Sequence, residues 1–312
     1  MKKTAGIHHI TAIVGDPQRN LDFYAGVLGL RFVKKTINFD DPETYHFYLG
    51  NDKGAPGTII TFFPWINAYN GKIGDGQVGV TIYAVPTGSL NFWEARLKKF
   101  NIEYEKTTRF GEDYLYFEDP DGLRLELVET DEGDPNEWTI GEVTKDVAIK
   151  GFRGATLYSA RPDKTSETLE YMGLKKIGED ARLIRFKASG EIGNTIDVKD
   201  TATGIGQIGV GTVHHIAWRA EDDKDQLDWK RYIESKGLGV TPVQDRNYFN
   251  AIYFREYGEI LFEIATDPPG FLIDEPYETL GQDLKLPSQY EQHRETLNRL
   301  LVPVEVRNLD KK

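Results

Sequence analysis

The sequence predicts an α+β fold: four repeated units, each reading strand, helix and three strands, that pair into two larger sheets. Three observations predict it. The same order of elements recurs four times between residues 5 and 267, aspartates recur at equivalent helix starts, and the chain is rich in aromatics, with 16 Tyr, 16 Phe and 5 Trp. One such unit is too small to close a core, so pairing is required.

In the first unit a strand, HITAIV, starts at His9 and leads to Asp16-Pro17, an N-cap followed by a first-turn proline. Leu21, Tyr24 and Leu28 then recur at helical spacing up to Gly29, which reads as the C-cap. Three strands are predicted next, over 30–39, 44–50 and 58–65. The second unit begins at GQVGVTIYAV (76–85), and Leu90, Trp93, Leu97 and Phe100 mark its helix. Its strands are IEYEKTTRF, DYLYFED and LRLELVE. The third runs from FRGATLYSA (152–160) through SETLEYMGL to NTIDVKD, and the fourth from TVHHIAWRA (212–220) to ILFEIAT. The modules are set at 5–70, 75–131, 150–201 and 210–267, followed by a tail over 268–312 with a helix predicted across SQYEQHRETLNRLL (288–301).

Composition narrows the function classes. A formal charge of −12 and the lack of any Lys/Arg cluster argue against nucleic acid or an anionic membrane as partner. The absence of cysteine excludes disulfides, thiolate metal sites and a cysteine nucleophile. MKKTA is followed by His8, His9, Thr11 and Asp16, which break any signal-peptide core, and the apolar run TIITFFPWI (58–66) is too short to span a bilayer. A soluble, cytoplasmic protein is expected.

The segments HHITAIVGDPQRNLDFYAGVLGL (8–30) and EDPDGLRLELVE (118–129), the second recurring in altered form as REYGEILFEIATDPPGF (255–271), carry a family resemblance. The chain resembles the vicinal oxygen chelate superfamily, which includes glyoxalase I, extradiol ring-cleaving dioxygenases and fosfomycin or bleomycin resistance proteins. HHIT, TFFPW and LFEIATDPPGF together are similar to its ring-cleaving dioxygenases of the methylhydroquinone-resistance type. The resemblance implies that module pairs form two half-open barrels, with a divalent metal held from the first and last strands of a module.

Strand parity sorts the donors. His8 shares a face with Ile10, Ala12 and Val14, whereas His9 lies with Thr11 and Ile13. His214 lies with Ile216 and Trp218, and His215 with Ala217 and Arg219. Each second histidine precedes a helix-start aspartate, Asp16 or Asp222, by seven residues. The resemblance carries the ligand role to His9 and His215, and leaves His8 and His214 to packing or to outer contacts. On last strands, Glu126 and Glu263 each alternate with core residues and so point to a cavity or water. The corresponding positions elsewhere are Thr61 and, less securely, Asp197; Gly79 and Thr156 are taken as the first-strand counterparts of the histidines. Pairing neighbouring modules yields two half-sites, whereas pairing the first with the fourth collects His9, His215 and Glu263 in one barrel. That two-histidine, one-carboxylate set is expected of non-haem Fe(II) oxygenases.

The expected activity is therefore an Fe(II)-dependent dioxygenase opening a hydroquinone- or catechol-like ring. Mn(II), Zn(II) and Ni(II) are the alternative metals, a small aromatic substrate and O2 the partners, and a homodimer an open alternative. By the same resemblance His46 and Tyr253 are the expected acid/base residues, while parity does not place Arg246, Tyr248 or Trp65. The competing readings are a glyoxalase-type lyase or isomerase, for which Thr61 would have to be a fourth ligand, and an aromatic-binding resistance protein without chemistry.

Overall fold

The structure, a computed structural model, describes residues 2–311. It is built on two eight-stranded sheets. The first contains β1 (Ile7–Val14), β2 (Arg31–Ile37), β3 (Tyr45–Gly50) and β4 (Ile59–Pro64), together with β13 (Thr212–Ala220), β14 (Gln244–Asp245), β15 (Phe249–Arg255) and β16 (Leu261–Pro269). Their order is β14-β15-β16-β13-β1-β4-β3-β2. The second sheet holds β5 (Gln77–Val85), β6 (Tyr104–Arg109), β7 (Glu112–Glu118), β8 (Arg124–Glu129), β9 (Gly151–Tyr158), β10 (Lys175–Asp180), β11 (Leu183–Lys187) and β12 (Thr195–Lys199), in the order β10-β11-β12-β9-β5-β8-β7-β6. Each sheet curls into a half-open barrel, giving the α+β fold expected from the repeat.

The centre of the first sheet is the antiparallel pair β1–β13, with β4 running parallel to β1 and β16 parallel to β13. All eight residues of β1 are buried, as suits a central strand covered on both faces. The helices α1 (Pro17–Leu21), α2 (Leu90–Lys99), α3 (Pro162–Tyr171) and α4 (Asp223–Glu234) pack outside the barrels, with α5 (Arg294–Leu300) in the tail. Asp16 and Asp222 cap α1 and α4, each accepting from the backbone N–H three residues on at 2.7 Å.

Two local details differ from the sequence reading. The helical spacing over Leu21–Leu28 is met by a short α-helix that widens into a π-turn across Asp22–Val27, ending where Gly29 adopts a φ of +73°. The tail helix is also broken. Residues Ser288–His293 form a 3₁₀ stretch, and only Arg294–Leu300 are α-helical.

The tail packs against the first sheet. Phe271 stacks on Tyr248 with ring centroids 4.9 Å apart and touches Tyr48 of β3 at 5.0 Å. Beside it the fully buried Lys34 of β2 pairs with Asp274 and with buried Glu275. Removing the cation would strand a buried carboxylate. Lys34→Met is therefore expected to lower unfolding stability by about 3 kcal/mol in a urea titration, and an unchanged midpoint would show that the clasp is not needed.

Candidate metal centre

Register explains how distant histidines meet. His9 on β1 stands opposite Ala217, and His215 on β13 stands opposite Thr11, so the two rings lie on one face across the central pair. Ala217 is in turn the parallel partner of Glu263 on β16. The structure thus brings His9, His215 and Glu263 together. His9 Nε2 lies 3.2 Å from His215 Nε2 and 3.4 Å from Glu263 Oε2, and His215 Nε2 lies 2.9 Å from the same oxygen.

The carboxylate is fully buried, and apart from the approach of the His9 and His215 Nε2 atoms neither of its oxygens has a hydrogen-bond partner among the described residues. Burial alone would push its ionisation up, yet the facing His9 and His215 outweigh this and hold it below the usual carboxylate range. Burial lowers the pKa of His215, favouring the neutral ring that a metal requires. Metal–ligand bonds of about 2.1 Å meeting near right angles separate donor atoms by about 3.0 Å, close to the spacings here. An orphaned buried anion with two converging imidazoles is a donor set that fits a divalent cation.

Above these three atoms is a cavity of about 440 Å³, within the range of small-molecule sites. His46, Tyr48, Phe63, Trp65, Arg246, Phe249 and Tyr253 are among its lining residues. Tyr253 stands opposite Glu263 in the β15–β16 pair, its ring 5.6 Å from that of His215. Burial, then the Glu263 charge, push its hydroxyl well above its ordinary value, so it stays protonated. His46 also faces the cavity, but both its nitrogens are taken: Nε2 contacts Thr61 Oγ1 at 2.8 Å and Nδ1 accepts from Tyr48 at 2.9 Å. Arg246 and Trp65 join the wall, whereas Tyr248 turns away and donates to Asp274 at 2.9 Å. Phe249, whose ring lies 4.9 Å from that of His9, was missed because strand parity identifies polar donors and not the apolar side chains that cover them.

The second barrel repeats the frame without the donors. Glu126 pairs in register with Ile82, and Asp197 with Thr156, as Glu263 pairs with Ala217 and Thr61 with Thr11. Stepping back two residues from each first-strand partner, the histidine positions correspond to Val80 and Gly154, not to Gly79 and Thr156 as expected. The β-bulges at Gly79 and Arg153 match those at His214 and His8, so pairing with the last strands, and not residue counting along the sequence, sets the correspondence. A side chain at Gly154 is impossible, since its Cβ would fall 1.6 Å from the Thr195 carbonyl oxygen. Here guanidinium groups supply the positive charge: Arg109 donates to Glu126 at 2.9 Å, and Arg185 donates to Asp197 at 2.7 and 2.8 Å.

Comparison with known proteins agrees with this architecture. Residues 6–127 match the family model of the Glyoxalase/Bleomycin resistance protein/Dioxygenase superfamily. Over 310 residues, 99% of both chains, the sequence is 67% identical to a Bacillus subtilis (strain 168) protein named "Putative ring-cleaving dioxygenase MhqO". The chain belongs to this superfamily. The crystal structure of a "putative dioxygenase" from Bacillus subtilis subsp. subtilis str. 168 superposes with a TM-score of 0.98 at 66% identity, covering 99% of this chain and 100% of that one. The chlorohydroquinone/hydroquinone 1,2-dioxygenase of Sphingobium indicum is 36% identical over 313 residues, 96% of this chain and 97% of that protein. With such relatives along its whole length, the chain is an enzyme of the superfamily's dioxygenase branch.

The contrast between barrels predicts one metal per chain. Titration of apo-protein with Fe(II) or Zn(II) should saturate at one equivalent, and His215→Ala or Glu263→Gln should abolish tight binding. Glu126→Gln should leave the stoichiometry unchanged while destabilising the fold by about 2 kcal/mol through loss of the charge-assisted bonds from Arg109, which keeps Asp197 3.6 Å from its Nε. Two equivalents, or loss of binding in Glu126→Gln, would place a ligand in the wrong barrel.

Proposed function

We propose that the protein is an Fe(II)-dependent ring-cleaving dioxygenase acting on a hydroquinone- or catechol-like dihydroxylated aromatic. The observation that carries this reading is the three-donor cluster of His9, His215 and Glu263 at the floor of an aromatic-lined cavity. The chlorohydroquinone/hydroquinone activity named for the Sphingobium indicum relative supports the substrate class. Iron held there would supply adjacent open positions for a substrate hydroxyl and for dioxygen, with a Lewis acid to favour the ionised hydroxyl.

The chain's own residues do the rest. Phe63, Trp65 and Phe249 form walls suited to a flat ring. Arg246, whose guanidinium carbon lies 5.7 Å from the Tyr253 ring centroid, adds positive charge that favours an ionised substrate. Tyr253, held protonated, donates a hydrogen bond to an oxygen on the bound ring. His46 handles a proton by exchanging its Thr61 or Tyr48 contact for the substrate, so its role depends on a small movement of that ring. Thr61 stands at the register position of Glu263, and its hydroxyl is engaged with Thr11 and His46, both at 2.8 Å. A threonine so engaged is a poor fourth ligand, which favours an oxygenase over the glyoxalase-type reading.

Iron-loaded protein is expected to consume O2 with a hydroquinone or catechol and to incorporate ¹⁸O from labelled O2 into a ring-opened product, detected by mass spectrometry. No uptake above an iron-only control across the panel would overturn the proposal. Tyr253→Phe should lower kcat by about 10²-fold with a much smaller change in KM.

A further inference from the structure

The first histidine of each pair has no part in the donor cluster, yet both occupy a special place in the backbone. Along β1–β13 the register passes from Ile7↔Trp218 to His9↔Ala217, leaving His8 as an extra residue in β1. Farther along it passes from Thr11↔His215 to Ala12↔Val213, leaving His214 as an extra residue in β13. Each is therefore a β-bulge, a device that re-aims side chains next to a site. Without the bulge, adjacent side chains would point to opposite faces.

Here they meet. His8 Nδ1 lies 2.9 Å from His9 Nδ1, and His214 Nδ1 lies 2.7 Å from His215 Nδ1. The rings stand edge to face, at 82° and 78°. In each pair the second ring turns Nε2 to Glu263 and Nδ1 to its neighbour. Proton counting then fixes the roles. An imidazole that offers its Nε2 lone pair to a metal carries its proton on Nδ1 and must donate it. The receiving Nδ1 must in turn be bare, so the neighbour's proton sits on its Nε2.

We propose that His8 and His214 are positioning residues, each set in a β-bulge so that its bare Nδ1 accepts the Nδ1–H of His9 or His215 and fixes that ring as an Nε2 ligand. The inference rests on the metal reading given above. Partners of this kind normally orient a ligand histidine and raise its basicity, and they are usually carboxylates or backbone carbonyls. Histidine does the same here without adding a second buried negative charge beside Glu263. The second barrel provides an internal contrast: its two bulge positions hold Gly79 and Arg153, and it has no histidine to orient.

The direct test uses the intact protein with ¹⁵N-labelled histidine, loaded with Zn(II) as a diamagnetic probe. With six histidines in the chain the ring nitrogens are separable. The expected spectrum shows two Nδ1–H groups, each with a scalar coupling across its hydrogen bond to an unprotonated Nδ1 of an Nε2-protonated ring. Nδ1-protonated tautomers for His8 and His214 would overturn the proposal. If Zn(II) does not bind the parent at all, the metal reading itself fails, which is a separate outcome. Variants give a second readout by chelator competition. His8→Leu and His214→Leu should weaken Zn(II) binding by about 10- to 100-fold, while His8→Asn and His214→Asn retain an acceptor at the Nδ1 position and should recover most of it. Asn variants as weak as Leu variants would reduce both residues to packing.

Discussion

The structure depends on one pairing, the antiparallel contact of β1 with β13. It joins strands about two hundred residues apart in the chain and sets His9 against His215 across the centre of the first sheet. Everything in the site is referenced to it: β16 runs parallel to β13 and delivers Glu263, while β4 runs parallel to β1 and delivers Thr61. Loop closure over such a separation carries an entropy cost that grows only logarithmically with length, and the buried central strands offset it with apolar area. Once the pairing forms, the donor atoms have little freedom left.

The two barrels show one frame used in opposite ways. Both place a buried glutamate at the equivalent last-strand position, Glu263 in the first and Glu126 in the second, and the second adds buried Asp197 where the first has Thr61. In the second barrel Arg109 and Arg185 neutralise Glu126 and Asp197 with charge-assisted pairs, so the interior is a closed ionic core. In the first, Glu263 faces only imidazoles, with no lysine or arginine paired to it among the described residues. A buried anion without a matched cation is costly. The second barrel resolves that cost with arginine, and the first leaves it for a ligand to resolve.

Much of this was legible in the sequence, for definite reasons. The repeat fixed the order of elements because each unit reuses the same capped helix and apolar strands, and aspartates 16 and 222 do cap helices as their positions imply. Parity grouped His9 with Thr11 and His215 with Ala217, and the register of β1 with β13 keeps these residues on one face. Parity also set the limit. It presumes an unbroken strand, and the bulges at His8, Gly79, Arg153 and His214 break it. That is why the near contact within each histidine pair was invisible, whereas Gly79 and Thr156 were misassigned because only the register with the last strands, Glu126 against Ile82 and Asp197 against Thr156, sets the counterparts. The widening of the first helix into a π-turn and the splitting of the tail helix depend on packing, which single-sequence periodicity does not report. The engagement of His46 with Thr61 and Tyr48 likewise follows from the cross-strand register of β2, β3 and β4, which was not readable beforehand.

The sharpest test of the account is crystallographic. Crystals grown anaerobically with Fe(II) should show, at the iron absorption edge, a single anomalous peak per chain. The peak should lie within bonding distance of His9 Nε2, His215 Nε2 and a Glu263 carboxylate oxygen, with none in the second barrel. A peak elsewhere, or none at the cluster in iron-replete crystals, would contradict the central claim that the chain's two ends build one metal site.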